Sequence, residues 1–148
     1  MGDKMGKIIS TATEVYHVNE NGDRHGECKD FGYGGGGVKS VSNFENGKRQ
    51  GIRTYYDDDR NILAEHHYVN GKRHGECKYY HENGKIGILQ YYKNGLRHGK
   101  RMEYDSEGVM VFCGLFHEGN EIMVDALTLS EADYAYIMLS GRLPVRGE

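Results

Sequence analysis

From residue 14 to residue 117, short segments alternate apolar and polar positions, each segment closes on a turn signal, and the whole pattern returns every 24 or 25 residues. The near-copies are NGDRHGECKDF from Asn21, NGKRQGIRTYY from Asn46, NGKRHGECKYY from Asn70 and NGLRHGKRMEY from Asn94, with a decayed start, EGNEI, at Glu118. A period of this length kept over at least three copies marks a repeat array, in which each unit covers its neighbour and function belongs to a surface. A second turn signal, ENGK from Glu82 and SEGV from Ser106, splits the repeat, so each repeat is one hairpin's worth of chain.

Asn-Gly favours a type I′ hairpin turn, because that turn needs positive φ at both central residues. A two-residue turn at Asn83-Gly84 predicts the register Glu82↔Lys85, His81↔Ile86, Tyr79↔Ile88 and Cys77↔Gln90. One face then carries Cys77, Tyr79, His81, Ile86, Ile88 and Tyr92; the other carries Glu76, Lys78, Tyr80, Gly87, Leu89 and Tyr91, with Tyr80 lying over Gly87. Stepping by the period gives three ladders: Phe31, Tyr56, Tyr80, Tyr104; Phe44, Tyr68, Tyr92, Phe116; and Val38, Ile62, Ile86, Met110. The second and third share parity and are expected to form one apolar stripe that serves as the core.

Three segments depart from the pattern. Residues 6–18 read as a leading half-repeat. YGGGGV, with its glycine run at 34–37, stands where YHENGKI stands later and predicts a loosened or bulged hairpin, and DDDRN from Asp57 predicts a longer polar loop than Asn-Gly. After Glu118 the period ends, and LSEADYAYIMLSGRLP predicts a helix with Ser130 as N-cap, Gly141 as C′ and Pro144 beyond. Leu129, Ala132, Tyr136, Ile137 and Leu139 are its candidate apolar stripe, for capping the array or for pairing with a partner or a second copy.

Over residues 6–120 the chain resembles the MORN-repeat-variant family, whose alternating NG-x-x-x-G and YY-x-NG-K segments match best at residues 70–95. Relatives of this look occur among bacterial antitoxin-like proteins and giant-virus proteins. The resemblance implies stacked hairpins that bind proteins or, in some relatives, acidic lipids. The expected fold class is mainly β, an elongated twisted single-layer antiparallel sheet of tandem hairpins (1–120) followed by a C-terminal helical cap or tail (121–148).

Composition narrows the reading. Without Trp, and with 37% hydrophobic residues, a thick interior is hard to fill, whereas twelve Tyr and four Phe suit a half-exposed sheet. The net charge is −3, and residues 118–148 hold six acidic and two basic residues, leaving the repeats near +1, so nucleic-acid binding is not expected. No secretory leader and no run of about eighteen apolar residues is present, so the sequence reads as soluble and cytoplasmic. Cys28, Cys77 and Cys113 are odd in number, and the first two fall about 19 Å apart in the repeat geometry, so all three read as reduced packing residues.

No catalytic, P-loop, HExxH, EF-hand or zinc spacing is found, so neither enzyme, metal nor cofactor is expected. The recurring polar feature is the pair before each repeat glycine: Arg24-His25, Arg49-Gln50, Arg73-His74 and Arg97-His98. Spaced by two strands, Arg24, His25, Arg49, Arg73, His74, Arg97 and His98 form a basic edge, a candidate site for an acidic protein partner or a solvated rim. The expected function is a non-catalytic interaction scaffold, with an inhibitory, antitoxin-like role as one form. Peripheral binding to anionic lipid through the basic edge is the alternative, and a homodimer is compatible with either.

Overall fold

A computed structural model describes residues 6–34, 36–122 and 125–145. Among these the chain is mainly β, with twelve strands and one helix. The strands are β1 (Ile8–Ser10), β2 (Glu14–Val18), β3 (Arg24–Asp30), β4 (Ser40–Glu45), β5 (Lys48–Arg49), β6 (Gly51–Tyr56), β7 (Ile62–Val69), β8 (Lys72–Tyr80), β9 (Ile86–Lys93), β10 (Leu96–Tyr104), β11 (Met110–His117) and β12 (Asn120–Ile122). The helix is α1 (Glu131–Ser140). Two compact units, Met1–Arg73 and His74–Glu148, divide within β8. In each, strands neighbouring in sequence pair antiparallel into an open sheet, as the repeats predict. Among the described residues no helix is long and apolar enough to cross a membrane.

Two kinds of turn alternate. Asn46-Gly47, Asn70-Gly71, Asn94-Gly95 and Glu118-Gly119 have positive φ at both residues, as a type I′ turn requires. At the half-period the expectation fails: at Asn83-Gly84 only Gly84 has positive φ, and His81 N donates to Lys85 O at 2.8 Å. The loop is Glu82-Asn83-Gly84, a three-residue turn that ends left-handed. The same closure joins Asp57 to Asn61 and Asp105 to Val109, and also Asn19 to Asp23 around Asn21-Gly22, a full-period turn where only Gly22 has positive φ. DDDRN is thus no longer than its counterparts; Arg60, at φ 66°, occupies the place that Gly22, Gly84 and Gly108 take elsewhere. Where YGGGGV stands, Asp30 and Ser40 still pair, and residues 31–39 form the expected looser connection, with Gly35 outside the described residues.

The hairpin of β8 and β9 keeps the predicted pairs Cys77↔Gln90 and Tyr79↔Ile88, then slips: Tyr80 opposes Ile86, leaving Gly87 as an extra residue. Leu63 and Val111 are extra in the same way, between Ala64 and Ile62 opposite Tyr55-Tyr56 and between Phe112 and Met110 opposite Glu103-Tyr104. A bulge inserts one residue and so reverses side-chain parity beyond it. Ile86 therefore leaves the face of Tyr92, and the stripe expected from the second and third ladders does not exist. The third ladder instead meets the first, through Tyr56↔Ile62, Tyr80↔Ile86 and Tyr104↔Met110. The ring over Gly87 belongs to His81, whose Nε2 is 3.0 Å from where a Gly87 Cβ would sit, and not to Tyr80.

The helix is capped as predicted. Ser130 Oγ accepts from Asp133 N at 3.1 Å, and Gly141, at φ 68°, donates its N–H to Ile137 O at 2.8 Å. Its inner face buries Ile137 against Leu115 and Ala126, with Cys113, Ile122, Leu129, Tyr134 and Met138 packed around them, so α1 covers one face of the last strands. The stripe differs from the expected one: Tyr136 is 46% and Leu139 87% exposed.

The left-handed conformation costs a residue with a Cβ about 1–2 kcal/mol, so Arg60→Gly is expected to raise stability by up to about 1 kcal/mol, while Gly84→Val lowers it by at least about as much. Urea midpoints of the two variants check this; a lower midpoint for Arg60→Gly would show that its side-chain contacts outweigh the backbone.

Candidate functional site

The basic pairs sit where each strand meets its repeat glycine. Gly26, Gly51, Gly75 and Gly99 have φ between 80° and 100°, a conformation that only glycine adopts without strain. At Gly26 and Gly99 the ladder register shifts, between Tyr16/Val18 and between Arg97/Arg101. This fits the reading that glycine here supplies a backbone bulge.

The arginines are not a bare rim. In the first unit the Arg24 guanidinium lies 4.2 Å from the Tyr16 ring centroid and 5.5 Å from Phe44, and that of Arg49 lies 5.3 Å from Phe44 and 5.8 Å from Tyr68. Ring and cation thus alternate from Tyr16 to Tyr68. In the second unit Arg97 lies 5.4 Å from Phe116. Each such contact stabilises by about 0.5–1 kcal/mol where water still reaches the cation. Arg24 also makes a two-pronged pair with Glu14, at 2.8 and 3.2 Å, and that hydrogen bond raises its pKa. Within the first unit the predicted ladder rings Phe44 and Tyr68 are bridged by Arg49, so the arginine is part of the ladder.

The residue after each arginine fastens the next repeat. Asn46 N donates to His25 Nδ1 at 3.3 Å, Asn70 N to Gln50 Oε1 at 2.7 Å, Asn94 N to His74 Nδ1 at 3.3 Å and Glu118 N to His98 Nδ1 at 3.2 Å. Alongside, Gly47, Gly71 and Gly119 N–H groups donate to the carbonyls of Arg24, Arg49 and Arg97, each at 2.8 Å. A two-residue turn leaves its central N–H groups without a partner in their own hairpin, and the preceding repeat supplies one. Each histidine must present Nδ1 unprotonated to accept.

His98 is the most constrained of them. Burial, then the neighbouring His117, whose ring centroid is 5.0 Å away, and Lys93 lower its pKa, against an opposing pull from Glu118. Burial likewise pushes the Cys28 and Cys113 thiols up, and Cys28, Cys77 and Cys113 are not joined in a disulfide. Among the described residues no group of three His, Cys, Asp or Glu side chains is arranged to hold a metal ion.

A different surface opens on the sheet. Val38, Val41, Tyr56 and Arg60 line a slot of about 260 Å³ in the first unit, and Lys85, Ile86, Leu89, Tyr104, Glu107 and Gly108 line one of about 370 Å³ in the second. They are one site met twice: Ile86, Leu89, Tyr104 and Gly108 each stand 48 residues, two repeats, after Val38, Val41, Tyr56 and Arg60. Both have an aliphatic pair beside a tyrosine, with a cation at the rim. In the second slot the bulge at Gly87 brings Ile86 to the face of Leu89 and Tyr104. The sequence reading missed the slots, although the period already aligned Val41 with Leu89.

No family model matches the sequence, and no curated protein matches it. Among solved structures, a chain from "Crystal structure of GtfA/B complex" is similar at 14% identity with a TM-score of 0.44, over 71% of this chain and 21% of that chain. A likeness of that order assigns no activity.

The staple makes stability depend on pH. Because the folded-state pKa of His98 is lowered, its contribution is complete above the ordinary value of about 6.5 and is lost as the pH falls through the folded value. His98→Gln, which copies Gln50 with a side chain that does not titrate, is expected to remove about one hydrogen bond's worth, ~1 kcal/mol, of the acid-side loss. Urea denaturation of parent and variant from neutral to mildly acidic pH checks this; parallel curves would show that the staple survives protonation.

Proposed function

We propose that this chain is a MORN-repeat-variant protein acting as a non-catalytic, cytoplasmic scaffold that binds a protein partner through the repeated apolar slots. The observation that carries this reading is the recurrence of one slot, aliphatic pair plus tyrosine, at equivalent repeat positions in both units. A repeat surface binds by multiplying a modest contact, and a half-exposed tyrosine beside two aliphatic groups receives an apolar side chain while its hydroxyl stays wet. The rim cations Arg60 and Lys85 favour a partner whose apolar side chains are flanked by carboxylates. An inhibitory, antitoxin-like role is one form such binding takes.

In this reading Arg24, His25, Arg49, Arg73, His74, Arg97 and His98 serve the binding surface by holding strands and turns in register. That assignment also weighs against anionic lipid as the partner, because a membrane-binding edge needs cations turned outward, while Arg24, Arg49 and Arg97 lie over rings.

Selection from a displayed library of random peptides tests the proposal. Selected peptides are expected to carry an aliphatic or aromatic residue beside Asp or Glu, and Val41→Glu or Leu89→Glu is expected to weaken their binding at least about tenfold, about 1.4 kcal/mol. Each variant is checked for an unchanged melting temperature. Peptides that bind the Val41→Glu, Leu89→Glu double variant as well as the parent would overturn the slot assignment, and salt-sensitive binding to phosphatidylserine vesicles in place of peptides would favour the lipid alternative.

A further inference from the structure

The helix α1 is apolar on two sides. Its inner side packs on Leu115 through Ile137, yet Ala132, Ala135, Tyr136 and Leu139 are all exposed on its outer side. Those four positions follow the spacing i, i+3, i+4, i+7, the seam by which one helix packs on another. A helix of a water-facing surface normally turns polar residues outward, and one that is apolar all round is covered on both sides. Leu127, Leu143 and Val145, 66%, 49% and 94% exposed, add apolar surface beyond the ends of the helix.

We infer that the outer side of α1 docks on the same side of α1 in a second copy, antiparallel, about a two-fold axis near Ala135 and Tyr136. Three features select a second copy in this orientation. The seam is self-complementary: two-fold pairing sets Ala132 of one helix against Leu139 of the other, small against large. Charge is complementary as well, since Glu131 lies at the start of the helix and Arg142 just past its end, both exposed, so antiparallel packing brings unlike charges together at both ends while parallel packing would bring like charges together. The helix dipoles also favour the antiparallel arrangement. A ten-residue helix offers a short seam, against the roughly 800 Å² per partner of a standard interface, so the dimer is expected to be weak and to form in a concentration-dependent way. This inference is independent of the slots, which lie on the sheet.

Sedimentation equilibrium of the full chain between about 10 µM and 1 mM is expected to show a monomer–dimer equilibrium. Leu139→Glu, at an exposed position, should raise the dissociation constant at least about tenfold with the melting temperature unchanged. Glu131→Arg alone should weaken the dimer, and adding Arg142→Glu should restore it. Ala135→Cys, near the axis, should form an intermolecular disulfide under mild oxidation, whereas the parent and Ala132→Cys should not. A monomer throughout the range, a dimer indifferent to Leu139→Glu, or equal cross-linking at residues 132 and 135 would each overturn the inference.

Discussion

The fold depends on a fastening between consecutive repeats. An Asn-Gly turn is favoured by its dihedral angles, but it faces outward with two backbone donors that its own hairpin cannot use. In this chain the preceding repeat accepts one with the side chain of His25, Gln50, His74 or His98 and, at Gly47, Gly71 and Gly119, the other with the carbonyl of Arg24, Arg49 or Arg97. The requirement explains why an arginine, an acceptor side chain and a glycine recur together. The glycine admits the positive φ that turns the strand, the acceptor fastens the next turn, and the arginine fills the gap between successive rings of the aromatic ladder. A sheet with little interior thus replaces depth of burial with lateral contact, ring to cation to ring, along one face.

The bulge at each half-period sets what the opposite face can do. Without Leu63, Gly87 and Val111 as extra residues, the aliphatic ladder would lie under the rings and the two faces would be sharply unlike. With them, Ile62, Ile86 and Met110 cross over beside the tyrosines, and Ile86 joins the slot of the second unit. The same displacement brings His81 over Gly87, where its Nε2 lies 2.8 Å from Tyr104 O of the following hairpin. In the second unit one inserted residue, Gly87, thus shapes both the hairpin and the slot.

The sequence disclosed the period, the hairpins, the pairs from Cys77↔Gln90 to Tyr79↔Ile88 and the helix between Ser130 and Gly141, because each rests on local preferences that spacing displays. Ile86 was misplaced because a bulge looks like any other residue in a strand until its partner is known. Arg24 and Arg49 read as a solvated or partner-binding edge because nothing in a linear sequence says that a cation will lie between rings from two other strands. The candidate surface was legible only in part: the period aligned Val41 with Leu89, and plain alternation puts them on the face of Tyr56 and Tyr104, but the parity reversal at Gly87 was needed to bring Ile86 to that face. Leu139 fitted a helical stripe by spacing and lies outside it because the helix turns Ile137 and Tyr134 inward.

The fastening runs one way along the chain. Each two-residue turn, at Asn46, Asn70, Asn94 and Glu118, leans on the repeat before it, and the repeat before it asks nothing in return through that contact. Such an array grows only by whole periods, since a partial insertion would carry the turn past its acceptor. It is also polar in the manner of a zipper: removing copies from the C-terminal side strands no turn, whereas removing one from the N-terminal side leaves the next turn's donors facing water alone.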